Sequence, residues 1–174
     1  MPLETFAAGE KSLVDEVKWT APDSDGVTRF LVSLSFEGIL EAGLNLSGVA
    51  LADFPKMNTT FELFASDQRG RSVRLMRMDW RSLRGGHKNT RRPTGSTLPR
   101  RTDPTHFHSF DLNWNPSTKR MRGRRLPLAQ NIDEDLQSFE ALRGWTGNAF
   151  RINNIDLVPS PPWRYNLFNE VGWN

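Results

Sequence analysis

The chain has 174 residues, 37 % apolar and 25 % charged, enough material for one core in a single domain spanning 1–174. It contains no cysteine, which excludes disulfides and thiolate metal sites. No apolar run approaches the about 20 residues of a transmembrane helix, and the opening Met1-Pro2-Leu3-Glu4-Thr5 has neither the charge nor the apolar run of a signal peptide. A soluble, cytoplasmic protein with no membrane partner is expected.

The net charge of +3 hides a strong segregation. Residues 1–68 hold 4 basic and 11 acidic side chains, residues 69–125 hold 16 and 3, and residues 126–174 hold 3 and 6. The middle segment is thus at +13, the clustering that a phosphate-binding surface needs. The plainer explanation of the same numbers is pairing between these cations and the acidic flanks.

In chain order, 29–36 alternates with Phe30, Val32, Leu34 and Phe36 on one face, the period of a half-buried strand. A weaker strand pattern covers 44–51. Segments 59–65 and 72–80 predict a hairpin turning at Asp67-Gln68-Arg69-Gly70, its second arm setting Arg71, Val73, Leu75 and Arg77 on one side. From 83 to 104 periodicity gives way to Gly, Pro and Arg, which reads as a long irregular loop. Alternation returns over 105–114, and a second basic stretch over 115–125 completes a loop-rich basic insert at 83–125. Asn131 with Glu134 three residues on, followed by Leu136, Phe139, Leu142 and Gly144, predicts a helix over 131–143. A last strand is expected at 149–158, then a Pro-rich tail packed by the rings of Trp163, Tyr165, Phe168 and Trp173. Strands outnumber helices, so the expected fold class is α+β, a mainly antiparallel sheet with one well-formed helix and long basic loops.

All three histidines, His87, His106 and His108, fall in the basic segment. On a strand His106 and His108 share a face. Such a pair can ligate a metal, with His87 as a third imidazole and Asp79 as the better-placed carboxylate, or can act as acid and base. Nearby arginines would repel a cation, so the expectation is no metal and no cofactor, with the imidazoles acting on phosphate as in a metal-free ribonuclease. The bland explanation is a pair of core histidines, since the same alternation sets Phe110, Leu112 and Trp114 beside them. No P-loop, dinucleotide fingerprint, zinc-protease or nucleophile-elbow motif is present.

The order of strand, hairpin, His87-Lys88-Asn89, loop, His106-Phe107-His108 and acidic-capped helix resembles an uncharacterised family of small bacterial toxin–antitoxin and phage-associated proteins with an H-x-N … H-x-H pattern. The resemblance covers about 60–143 and implies a mobile-element origin, with His87, Asn89, His106 and His108 as the positions it carries over. The resulting expectation is a nucleic-acid-binding protein, for RNA or DNA. Arg84, Lys88, Arg91, Arg92, Arg100, Arg101, Arg120, Arg122, Arg124 and Arg125 would hold the backbone, and His87, His106 and His108 are the candidate catalytic groups of a ribonuclease-like step. The rival readings are a non-catalytic phage or mobile-element inhibitor of the anti-defence type, which binds a nucleic-acid-processing complex as its protein partner, and a structural subunit of a larger assembly.

Overall fold

In the computed structural model, which describes residues 1–165, the chain opens with a one-turn-and-a-half helix α1 (Leu3–Ala8) and strand β1 (Lys11–Leu13). Two long strands follow, β2 (Val27–Phe36) and β3 (Ile39–Leu51), then the hairpin β4 (Thr59–Ser66) and β5 (Ser72–Trp80). After a non-repetitive stretch come β6 (His106–His108), the single turn α2 (Phe110–Asn113), the small ribbon β7 (Trp114–Asn115) and β8 (Arg120–Met121), and β9 (Gln130–Asn131). Helix α3 (Phe139–Phe150) and a 3-10 turn (Ile155–Leu157) close the described chain. Seven strands form one antiparallel sheet in the order β1-β2-β3-β4-β5-β6-β9, beside the β7–β8 ribbon. This is the α+β architecture expected.

The local chemistry of the turns explains much of this order. Glu37 and Gly38 both take positive φ, 49° and 82°, the geometry of a two-residue turn whose twist matches a hairpin. Asp67 organises the β4–β5 turn: its Oδ1 accepts from Arg69 N and Arg71 N at 2.9 Å each, and its Oδ2 accepts from the Arg71 fork.

Register divides the sheet into two unlike faces, because residues directly opposite each other point the same way. Phe30, Gly48, Phe61, Met78 and Phe107 lie in one row across β2 to β6. This face carries the core, with Phe139, Leu142 and Phe150 of α3 against it. Gly48 is required here, since any Cβ would collide with the Phe30 ring. The other face carries two polar rows, Thr60–Asp79–His106–Asn131 and Ser47–Glu62–Arg77–His108.

Five expectations are corrected. The strand over 105–114 stops at His108, because Ser109 caps α2 by accepting from Leu112 N. Phe110, Leu112 and Trp114 therefore do not extend the face of His106 and His108. The helix over 131–143 begins instead at Phe139, capped by Ser138, and Gly144 lies inside it. Asn131 pairs with His106 in the sheet, a ladder contact that overrides its local capping tendency. Segment 149–158 is helix end and 3-10 turn, with Ile152 making an isolated parallel bridge to Lys11. On the second hairpin arm, Leu75 has no partner between Met76 and Arg74, and this bulge sends it fully into the core, away from Arg77. In the tail, Trp163 packs edge-on to Phe139 and Tyr165 is exposed, while Phe168 and Trp173 lie outside the described residues.

Lys11 is 1 % exposed, and its Nζ donates to Phe6 O at 2.7 Å and Gly9 O at 2.5 Å, satisfying carbonyls at the end of α1. Burial pushes its pKa down to about 8, outweighing the attraction of Glu10. Between pH 8 and 10.5 the unfolded chain retains a proton that the folded chain has released, so this group adds stability as pH rises through the window. Denaturant unfolding of wild type and Lys11→Met across that range should show the variant with the flatter pH dependence; identical slopes would contradict the assignment.

Candidate functional site

The site lies on the polar face where β5, β6 and β9 are covered by two backbone segments, 81–105 and 122–129. The covering backbone is stitched down by side chains. Asn89 Nδ2 donates to Pro99 O and Ala129 O, and Asn89 Oδ1 accepts from Ala129 N, all at 2.8 Å. Asn113 Nδ2 donates to Leu128 O at 2.8 Å, and Asn113 Oδ1 accepts from Leu128 N at 3.0 Å. His87 N donates to Thr102 Oγ1, and Thr102 N to His87 O, at 2.8 and 2.9 Å. Gly86 allows that approach, because a Cβ there would collide with the Thr102 carbonyl.

Each imidazole is fixed by a backbone carbonyl. His108 Nδ1 faces Leu126 O at 2.8 Å and Leu128 O at 3.1 Å, His106 Nδ1 faces Asp103 O at 3.0 Å, and His87 Nε2 faces Pro127 O at 2.9 Å. A carbonyl only accepts, so the facing nitrogen carries the hydrogen in every case. The neutral tautomers follow: Nδ1–H for His106 and His108, Nε2–H for His87. The three rings meet, with centroids 4.6 Å apart for His87 and His108, 5.2 Å for His106 and His108, and 6.1 Å for His87 and His106.

Asp79 completes the cluster. It is 4 % exposed, against 4 % for His106 and 3 % for His108. Its Oδ1 accepts from Thr60 Oγ1 at 2.8 Å and Arg77 Nη2 at 2.6 Å, and its Oδ2 accepts from Arg77 Nε at 2.6 Å. The same Oδ2 stands 3.4 Å from His106 Nε2 and 3.6 Å from His108 Nε2. Arg77 also reaches Glu62, which pairs with Arg74 at 2.9 Å. Burial pushes the Asp79 carboxyl up, and the His108 imidazole and the Arg77 fork more than reverse this, holding it below the usual carboxylate range. Burial pushes His106 down to about 4 against the pull of Asp79, and burial lowers His87 as well. His106 is therefore neutral at pH 7.

The expected basic residues lie on the covering segments and on the β7–β8 ribbon and its flanks. Arg84, Lys88, Arg91, Arg92, Arg100, Arg101, Arg120, Arg122, Arg124 and Arg125 are all exposed. Among the described residues none of these ten forms an ion pair within 4.0 Å, whereas Arg29, Arg71, Arg74, Arg77, Arg151 and Arg164 do. Among the described residues, pairing with the acidic flanks, the plainer explanation of the charge segregation, does not occur for them. An antiparallel bridge between Lys88 and Arg101 gathers part of the set, and an open pocket is lined there by Lys88, Asn89, Thr90, Arg92, Arg100 and Arg101.

Thr60, Glu62, Arg77 and Asn113 were not singled out from sequence as parts of the site. The available signal was the hairpin itself: alternate positions Thr60 and Glu62 on one arm oppose Asp79 and Arg77 on the other. Asn113 left no such trace, since its role depends on a segment fifteen residues away. No protein-family model, no curated protein and no solved structure matches the chain.

Asn89 is buried with three hydrogen bonds, and its loss leaves Ala129 without side-chain partners. Asn89→Ala should lower unfolding stability by about 2–4 kcal/mol, read by denaturant titration. A loss under about 0.5 kcal/mol would mean that water replaces the side chain and that Asn89 does not hold the covering segments.

Proposed function

We propose that the chain binds nucleic acid through the cationic surface formed by residues 83–125. The observation that carries this is the state of the ten loop cations: all exposed, and none neutralised by a carboxylate among the described residues. Exposed cations without carboxylate partners hold counterions whose release drives association with a phosphate backbone. The pocket edged by Lys88, Arg92, Arg100 and Arg101 offers four positive side chains and no carboxylate, a fit for one phosphate of that backbone. Arginine forks suit such oxygens well.

The histidines stand differently toward a polymer. Direct acid–base cleavage requires imidazole nitrogens within hydrogen-bond reach of the ribose and the leaving oxygen. His106 and His108 are buried, with Nδ1 engaged by backbone carbonyls, and His87 alone is half-buried at the margin. Binding is accordingly the function proposed, and a ribonuclease-like step would need the covering segments 81–105 and 122–129 to open. Among the described residues no helix is long and apolar enough to cross a membrane.

Filter binding or anisotropy with a mixed-sequence RNA and a DNA duplex tests the proposal. Affinity should fall steeply with salt, with a slope near about 0.9 per neutralised phosphate on duplex and about 0.7 on single strands. The triple variant Lys88→Gln, Arg100→Gln, Arg101→Gln should flatten that slope, whereas Arg71→Gln, whose guanidinium is already held by Asp67, should leave it nearly unchanged. Absence of binding at low salt, or a slope indifferent to the triple variant, would overturn the proposal.

A further inference from the structure

We propose that Asp79, His106 and His108 form a binding site for a divalent transition-metal ion of the zinc class, with His106 Nε2, His108 Nε2 and Asp79 Oδ2 as ligands and a fourth position open beside His87. The inference rests on the hydrogen positions and the distances, and it stands whether or not the chain binds nucleic acid.

Backbone carbonyls hold a hydrogen on Nδ1 of both histidines, which leaves each ring's Nε2 turned inward toward Asp79. Neither Nε2 has a hydrogen-bond partner among the described residues, and both face the carboxylate oxygen of Asp79. Three acceptors thus converge in a pocket where every contributing side chain is more than nine-tenths buried. Lone pairs directed at one another out of water are repulsive unless a cation lies between them.

A proton is the wrong cation for this spacing. An imidazolium donating to a carboxylate would draw the atoms to about 2.7–2.9 Å, and the observed separations are 3.4 and 3.6 Å. A tetrahedral ion with bonds of about 2.0–2.2 Å sets neighbouring ligand atoms about 3.3–3.6 Å apart. The Asp79 oxygen stands at about that spacing from both imidazole nitrogens, and the three donor atoms all lie within 4.8 Å of one another.

The surroundings match a ligand set rather than a fortuitous contact. Ligating histidines are commonly oriented by a backbone carbonyl on the second nitrogen, and ligating carboxylates are themselves hydrogen-bonded. Here Asp103 O and Leu126 O serve the imidazoles, and Thr60 and Arg77 serve Asp79. Two imidazoles and one carboxylate suit zinc and its neighbours, whereas calcium and magnesium prefer all-oxygen sites. Three protein ligands leave a coordination position for water or an anionic ligand. The arginines near the site do not forbid the cation: Arg77 is bound to Asp79 and Glu62, and Arg74 to Glu62. His87 is the next imidazole, its Nε2 committed to Pro127 O and its ring centroid 4.6 Å from that of His108.

The test uses the full chain, stripped with a chelator and titrated with Zn²⁺ and with Co²⁺ as the spectroscopic probe. One ion per chain is expected, with the intense visible bands of four-coordinate cobalt, a Tm raised by Zn²⁺, and no response to Mg²⁺. His106→Ala and Asp79→Asn should weaken binding beyond the about 10–100-fold that outer partners cost, while His87→Ala should stay within a few-fold of wild type. Where a variant fails to fold, imidazole ¹⁵N shifts of the wild type decide: Zn²⁺ should move Nε2 of His106 and His108 and leave Nδ1 protonated. No uptake by the wild type, octahedral cobalt bands, unmoved Nε2 shifts, undiminished binding in a folded His106→Ala, or an equal loss in His87→Ala would each overturn the three-ligand site.

Discussion

The segment 126–129 passes through the interior without a strand beside it, and its peptide groups must still be satisfied. Leu126, Leu128 and Ala129 are essentially fully buried, so each unpaired carbonyl there would cost about 1–3 kcal/mol. Side chains supply the partners: His108 to Leu126 and Leu128, His87 to Pro127, Asn113 to Leu128, and Asn89 to Ala129. This requirement ties β6, α2 and the long β5–β6 connection to one stretch of backbone. It also sets the direction of the His87 and His108 imidazoles, because a carbonyl on one nitrogen dictates where the other nitrogen points.

The sheet then separates two jobs. One face is filled by Phe, Leu and Met against α3, the usual arrangement for an antiparallel sheet with one packed side. The opposite face carries alternate polar residues, which would be solvated in a simple meander. Here the 81–105 and 122–129 segments cover them, and a layer of charge and imidazole becomes interior. Burial raises the stakes of that layer: Asp79 is tolerable only because Arg77 and Thr60 occupy its oxygens. The arginines divide accordingly. Those with carboxylates nearby, Arg71, Arg74 and Arg77, are structural, and those on the covering loops face solvent.

Much of the fold could be read from local pattern. The strands containing Phe30 and Phe61 follow from period-two alternation, and the Asp67–Gly70 turn from its residue types, because adjacent antiparallel strands and tight turns are local interactions. The misread elements failed where two local signals competed or where a distant partner intervened. Asn131 has the chemistry of a helix cap, yet a ladder to His106 claims it. Ser138 has the same chemistry nearer the apolar stripe and takes that role. Ser109 ends β6 by capping α2, so the alternation of 105–114 continues in the sequence but not in space.

The amino-acid order by itself determined the excess of unmatched cations in the middle third, the confinement of all three histidines there and the β-rich architecture, since these depend only on composition and near-neighbour periodicity. Whether the histidines meet was settled by tertiary structure alone. Asp79 and His106 are brought face to face by register across β5 and β6, and His87 reaches them because Asn89 and Thr102 fold its loop back over the sheet. For His87 and His108 the hydrogen position depends on which carbonyl lies opposite, a relation between residues 18 to 40 apart in the chain. No local pattern encodes such a pairing, because the carbonyls of 126–129 belong to backbone whose identity at each position leaves its hydrogen-bonding chemistry unchanged.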